Sequence, residues 1–419
     1  MHRGMSEPFP RPHRFFSYPY PMKPKKFSPI RVMFVLGLLC PLQSLIGADD
    51  TPLALPPLPA IQGVPAPGPA TDAPYAPLTI VPGGVVVPLY PPGSPYLNAD
   101  KVRLPEEYHS YDPGRLGYIV HIHNPSIEFH AGNKALNTGA AIILAAGGGH
   151  RTLGVGGEGA DEVHFFYNHG VNTIILRNRL RSDGYDPAVD AVNDALQAIK
   201  LVRAYAKEWN LDPNKIGIMG FSAGAELAAA ATLQSAEFDR KNDVPSNPFA
   251  KISSRPDFAA LIYPGPSQFA RGGTPTIPRD IPPAFITSAG WGDWIHAVWA
   301  TEYFTAMLND SVPNVEMHIY ARGHHPGDKV APGEPPATGG ISDLGGIAFG
   351  TWSARFMDWF RDLGFLNKSG METQAAKDVA ANLNRTRHSA TWAPPPGATG
   401  APKTPAGPPP SPTPSEKTP

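Results

Sequence analysis

The sequence predicts a three-layer α/β domain built on a mostly parallel central sheet. Three observations carry this expectation. Short apolar runs of strand length alternate with longer helical segments through the middle of the chain, which is the pattern of helices packed on both faces of a parallel sheet. Several runs are apolar throughout, as expected of strands buried on both faces. The 52 prolines, far too many for one packed domain, gather at the two ends and leave the middle free to fold.

The strand candidates are YIVHIH (118–123), AAIILAA (140–146), NTIIL (172–176), KIGIM (215–219), FAALIY (258–263), AFITSA (284–289) and VEMHIY (315–320). The clearest helix spans 187–209, where Val189, Val192, Leu196, Ile199 and Val202 form one apolar stripe at 3- and 4-residue spacing. Further helices are expected to begin near Gly159, Ala223, His296 and Gly345, the last announced by Asp343 and the pair Gly345–Gly346. No internal repeat is visible.

Around this core the organisation is simple. Lys23, Lys25, Lys26 and Arg31 precede about 14 apolar-rich residues that end in Gly47-Ala48 before Asp49-Asp50, so residues 1–48 read as an N-terminal extension and signal peptide. Met22 is the more ordinary start for such a signal. A spanning helix needs about 20 apolar residues, so no stable membrane span is expected after cleavage. Cys40, the only cysteine, lies in that segment, which rules out an intrachain disulfide. Residues 49–84 read as a Pro-rich disordered linker, 85–367 as the catalytic domain, and 368–419 as a tail that turns Pro-rich and disordered from about 393. A formal net charge of −1 with no basic stripe gives no reason to expect nucleic acid as a partner. The expected location is secreted or periplasmic.

The chemistry centres on NKIGIMGFSAGAELAAAA, residues 214–231, which holds a G-x-S-x-G pattern. With 42 glycines in the chain, roughly 0.2 such patterns arise by chance, so the match alone is weak. Context strengthens it. KIGIM is a β run and AGAELAAAATL a strong helix former, which puts Ser222 on a strand-to-helix turn, the setting of a nucleophile elbow. Gly220 and Gly224 leave room for close backbone approach, and the helix N-terminus directs free N–H groups toward the serine.

A serine hydroxyl needs a base, and the base an orienting acid. Asp293 lies just beyond the strand AFITSA, where open parallel sheets keep their sites; Asp310 reads instead as a turn residue before a strand. His324 and His325 share a Gly-flanked loop after the next strand. Paired histidines also suggest a metal, but adjacent ones rarely point at one ion and no Asp, Glu or Cys cluster accompanies them, so neither a metal nor a cofactor is expected. His121 and His123 alternate within a strand and read as packing or surface residues. An oxyanion hole is expected from the N–H of Ala223 and from the glycine loop 147–149, with Gly148 and Gly149 as donors. That loop is not a phosphate loop, because no Gly-Lys-Ser/Thr follows.

These residues permit a family comparison. GGGH…EGADEVHFFYNHGVNTIILRNRL…DAVNDALQAIKLVRAYAKEWNLDPNKIGIMGFSAGAELA, with PLYPPGSP and IHNPSIEFH ahead of it, resembles the secreted bacterial α/β-hydrolase esterases related to acetyl xylan and feruloyl esterases, over roughly residues 85–366. The resemblance implies the α/β-hydrolase fold, a three-layer sandwich, with Ser222 as nucleophile, Asp293 as acid and a histidine of the 324–325 pair as base. The family's Gly-Gly-His-Gly loop falls on His325, with His324 in a glycine's place, so His325 is taken as the base and His324 as the alternative. The chain departs from the family at Gly224-Ala225-Glu226, where Gly-Gly-His is common. His150, Trp291 and Trp294 are candidates to line the substrate pocket, although core packing is the more frequent fate of tryptophan.

The resulting expectation is a serine carboxylic ester hydrolase acting on an ester substrate; an acylated plant polysaccharide as that substrate is implied by the resemblance alone. A prolyl-oligopeptidase-type peptidase shares fold and triad but carries a large N-terminal propeller, which roughly 60 Pro-rich residues cannot form. A non-catalytic polysaccharide-binding homologue has no need of an intact serine, acid, histidine and glycine loop.

Overall fold

The computed structural model describes residues 64–66 and 72–384, apart from 113, 245–246, 335–336, 338 and 340–347. Contacts divide the chain into Met1–Ala54 and Leu55–Pro419, and all described residues belong to the second unit. The expected signal segment, Cys40, most of the linker and the Pro-rich end therefore lie outside the described residues.

Among the described residues ten strands form: β1 Val85–Pro88, β2 Glu107–Asp112, β3 Arg115–Val120, β4 Ser126–His130, β5 Ala141–Ala145, β6 Asn172–Arg177, β7 Ile216–Phe221, β8 Ala259–Ile262, β9 Ala284–Trp291 and β10 Glu316–Arg322. Six α-helices accompany them among the described residues: α1 Asp161–Tyr167, α2 Val192–Ala204, α3 Ala223–Lys241, α4 Trp294–Asn309, α5 Trp352–Asp362 and α6 Gln374–Leu383. Eight strands make one sheet in the order β1-β4-β6-β5-β7-β8-β9-β10. The pairs β1–β4 and β4–β6 are antiparallel, and every pair from β6 to β10 is parallel. This is the α/β-hydrolase fold that the sequence predicts.

Side-chain alternation explains the layers. On β5, Ile143 and Ala145 pack with Leu196, Ile199 and Val202 of α2 in one hydrophobic cluster. Ile142 and Leu144, one residue out of phase, pack with Phe166, Trp352, Phe356 and Phe360 in a second cluster on the opposite face. A period of two with both faces apolar gives a continuous apolar run, and each such side chain contributes about 1.5–3 kcal/mol on burial.

Three elements differ from expectation. The run 118–123 does not join the parallel sheet: β3 ends at Val120, its partner strand is β2 with a single further bridge from Ile119 to Leu153, and His121, with φ 60°, turns the chain away. The strands β1 and β4, four and five residues long, are not among the expected runs. The packed core also starts ahead of 85 and runs past 367. Ile80 and Val81 are buried, and their N–H groups donate to the Glu128 carboxylate at 2.7–2.9 Å, a group also bonded by Arg177 and His130. Likewise Ala375 and Val379 of α6 are buried. The start expected near Gly345 lies outside the described residues, and α5 begins at Trp352. Among the described residues no helix is long and apolar enough to cross a membrane.

The topology positions a site. β6 lies on one side of β5 and β7 on the other, so the chain reverses its direction of travel across the sheet there. A crevice opens at the C-terminal ends of strands at such a switch point. The glycine loop leaves β5 and Ser222 follows β7, both at those C-terminal ends.

Two glycines make this crossing possible. A Cβ on Gly224 would lie 1.9 Å from the Ala145 carbonyl oxygen, and one on Gly220 would lie 2.2 Å from that of Gly224. Rigid backbone meets each, so α3 could not approach β5 and β7 with any larger residue. Gly224→Ala is expected to cost more than about 3 kcal/mol or to prevent folding, whereas Gly157→Ala, which has nothing within 4 Å, should stay within about 1 kcal/mol of wild type. Chemical denaturation of both variants checks this; equal midpoints would refute the close-approach argument.

Candidate active site

Ser222 occupies the turn between β7 and α3 with φ 51° and ψ −118°, a conformation that non-glycine residues rarely adopt. The surroundings over-determine it. Its N–H donates to Ile262 O at 3.0 Å, and its carbonyl accepts from Ala225 N at 3.0 Å and Gly265 N at 3.1 Å. The result lifts the side chain out of the strand. Ser222 Oγ lies 2.8 Å from Nε2 of His325.

His325 comes from the loop after β10, 103 residues further along the chain. Its Nδ1 lies 3.0 Å from Asp293 Oδ2. A carboxylate only accepts, so Nδ1 carries the proton and Nε2 is left with a lone pair to accept from the serine hydroxyl. Asp293 sits between β9 and α4, only 3% exposed. Burial works to raise its pKa, yet the bonds from His296 and His325 together hold the carboxyl below its ordinary range. The structure thus brings Ser222, His325 and Asp293 into one hydrogen-bonded chain.

The neighbouring His324 turns elsewhere, with Nε2 3.3 Å from Glu334 Oε2. Asp310 is the C-cap residue of α4.

A residue that the sequence reading overlooks completes the arrangement. His296, one turn into α4, donates through Nδ1 to the other oxygen of Asp293. Its ring stacks on that of His325, with centroids 3.7 Å apart and planes 7° apart. The signal was present in the spacing: a histidine three residues after the acid at a helix start faces back toward it. Although Asp293, His296 and His325 are close enough to suggest a metal site, stacked parallel rings cannot both hold one ion in their planes. Their nitrogens serve the carboxylate instead.

The glycine loop approaches from β5. Gly148 and Gly149 have φ of 126° and 61°, a region that favours glycine. Gly147 is engaged already, because its N–H donates to Glu158 Oε2 at 2.6 Å. Ala223 is the first residue of α3, where backbone N–H groups have no intrahelical acceptor. His150 follows with φ 58°, buried, its Nε2 3.2 Å from Glu226 Oε2 in the first turn of α3. That link pins the loop to the helix bearing Ser222 and gives a use to Glu226. Trp291 and Trp294 are 58% and 67% exposed, so neither enters the core. The Arg322 guanidinium lies 5.4 Å from the Trp291 ring centre.

Glu158 is the second residue that sequence reasoning misses; nothing in GGEGADEV marks it. Its carboxyl is buried under the glycine loop, bonded by Gly147 N–H and by Tyr263 Oη at 2.8 Å. Burial pushes it up to about 7, against the lowering effect of those two bonds. Between the ordinary value of 4.5 and about 7 the folded chain keeps a proton that the unfolded chain has lost. Stability therefore falls as pH rises through that window, by about 3 kcal/mol in all, and this contribution is level above it. Glu158→Gln keeps one acceptor and one donor for the same partners. The variant is expected to lack this part of the slope, so its advantage in Tm over wild type should grow from pH 4.5 to 7. Parallel curves would exclude Glu158 as the group responsible.

Parts of the chain are similar to known proteins. A family model described as BD-FAE matches residues 132–270, a span that takes in the glycine loop and Ser222 and stops ahead of Asp293 and His325. The chain is 27% identical over 260 residues to an acetylxylan esterase of Xylanibacter ruminicola, covering 55% of this chain and 46% of that protein. It is 32% identical over 125 residues to an endo-1,4-beta-xylanase B of Butyrivibrio fibrisolvens, covering 29% of this chain and 19% of that one. The chain thus spans less than half the length of these curated relatives. Among solved structures it is similar to an acetyl ester-xyloside bifunctional hydrolase from Caldicellulosiruptor lactoaceticus, with TM-score 0.49, 24% identity, and coverage of 68% of this chain and 98% of that chain. The chain has an α/β-hydrolase architecture and is similar over part of its length to an acetylxylan esterase.

Proposed function

We propose that the protein is a serine carboxylic ester hydrolase that removes short acyl groups, acetyl before feruloyl, from plant polysaccharides or related esters. One observation carries the reading: Ser222 Oγ, His325 and Asp293 are linked in sequence at 2.8 Å and 3.0 Å. In the reaction, Ser222 Oγ attacks the ester carbonyl carbon while His325 Nε2 accepts its proton. The negative charge that develops on the carbonyl oxygen is met by the N–H groups of Ala223, Gly148 and Gly149. Collapse breaks the bond to the sugar oxygen, which takes the proton back from His325, and leaves an acyl-serine. Water, deprotonated by His325, attacks the acyl carbon and releases the acid. Asp293 holds the imidazole in the required tautomer and stabilises the imidazolium. Trp291 and Trp294, exposed beside the acid, and His150 beside the glycine loop are proposed to frame the entrance for the acyl and sugar portions.

The preference for an acetylated polysaccharide is supported by the relation to acetylxylan esterases and by no single residue. The basic-then-apolar segment ending at Ala48 supports export from the cell, where such a substrate would be met. The test is a panel of acetylated xylan, methyl ferulate and longer acyl esters on the purified chain, with release of the free acid as readout. Acetate release from xylan well above that from longer esters is expected. Hydrolysis of none of them would overturn the esterase reading, and a preference for long acyl chains would overturn the substrate class.

A further inference from the structure

We propose that His121, His123 and Asp183 form a second site, a divalent transition-metal site best suited to zinc, outside the catalytic centre. Each offers one ligand atom, and these atoms lie within 4.8 Å of one another. Ligand atoms around a tetrahedral zinc stand about 3.4 Å apart, so only a small adjustment is needed. His121 Nδ1 and Asp183 Oδ1, 2.8 Å apart, would open slightly to seat the ion. A proton on Nδ1 bridges those two atoms, and a metal ion would replace it.

Independent features support a ligand here. Asp183 is buried, and its second oxygen, Oδ2, is buried without a hydrogen-bond partner. Leaving a carboxylate oxygen unpaired in the interior is costly, and a cation would compensate it. Both histidines also have outer partners of the kind that orient metal ligands. His123 Nδ1 is 3.0 Å from Tyr185 Oη; with its N–H donated there, Nε2 keeps a lone pair for the ion. His121 Nε2 lies 3.7 Å from Glu107 Oε1, which leaves Nδ1 as its ligand atom. Lys101, the nearby cation, donates at 2.8 Å to the Asp183 backbone carbonyl and so does not occupy its carboxylate. The His121 ring is about half exposed, which gives an ion a route in from solvent. Two imidazoles, one carboxylate and an open fourth position favour zinc over magnesium or calcium.

The site would act as a clamp. His121 and His123 lie just past β3, which holds Leu153 through paired backbone bonds of 2.9 Å. Asp183 ends a turn whose Arg181 N–H donates to His150 O at 2.8 Å and whose Ser182 Oγ donates to Arg151 O at 2.8 Å. An ion joining the two segments would brace the loop Gly148–Arg151 from behind.

The test uses the full chain, stripped with chelator and titrated with zinc chloride by calorimetry, with Tm followed in parallel. Wild type is expected to bind one equivalent and to gain about 5 °C at excess zinc. Asp183→Asn and His121→Gln should each lose that binding and the gain, whereas His296→Asn, which alters the catalytic cluster, should keep both. The half-exposed His121 variant decides the matter if Asp183→Asn fails to fold. The proposal is overturned if wild type binds no zinc, if His121→Gln binds as wild type does, or if only His296→Asn loses binding.

Discussion

Ser222→Ala should lower turnover of p-nitrophenyl acetate by roughly 10⁴-fold or more while leaving the fold intact, since removing the nucleophile ends the acyl-enzyme route and leaves only binding and oxyanion stabilisation. The backbone adds a second, unusual expectation. Ser222 is held at φ 51°, so the native elbow stores strain of about 1–3 kcal/mol. Glycine adopts that conformation without strain. Ser222→Gly should therefore be as inactive as the alanine variant yet more heat-stable than wild type by a few degrees. Activity within tenfold of wild type in Ser222→Ala would remove the proposed mechanism. A Tm for Ser222→Gly below that of wild type would show that the elbow is not strained.

His325→Ala is expected to cost about as much as loss of the serine, because base and nucleophile act as a unit. Its neighbour provides the control. His324 bonds Glu334, so His324→Ala should change turnover by less than about threefold. The comparison is demanding because both residues share one loop, so general damage to the loop would affect both variants alike. The reverse order of effects would move the base by one position.

The sequence read well wherever structure is local. Ten residues, 215–224, contain the β run, the serine and the helix start, and the two glycines that let α3 cross β5 and β7 lie in the same stretch. All six strands of the parallel part, β5 to β10, coincide with runs legible in the sequence, and the continuous hydrophobicity of β5 and β8 follows directly from burial on both faces. Asp293 was marked by its place at the end of β9. The edge of the sheet was less legible. YIVHIH has strand composition, but its partner is β2, and no property of the six residues distinguishes a small separate ribbon from the main sheet.

By itself, then, the sequence determined the layer order, the strained serine turn, the glycine loop and the order of acid and histidine along the chain. These follow from propensity, periodicity and glycine's freedom, all of which act over a few residues. Only the tertiary structure decided which histidine meets the serine, that His296 takes the other oxygen of Asp293, that Glu158 lies buried beneath the glycine loop, and that His121, His123 and Asp183 converge. Each of these joins segments fixed by different strands, and its geometry depends on how those strands sit in the sheet. A shift of one residue in a loop turns a side chain to another partner, as the divergence of His324 and His325 shows, and no local rule records that choice.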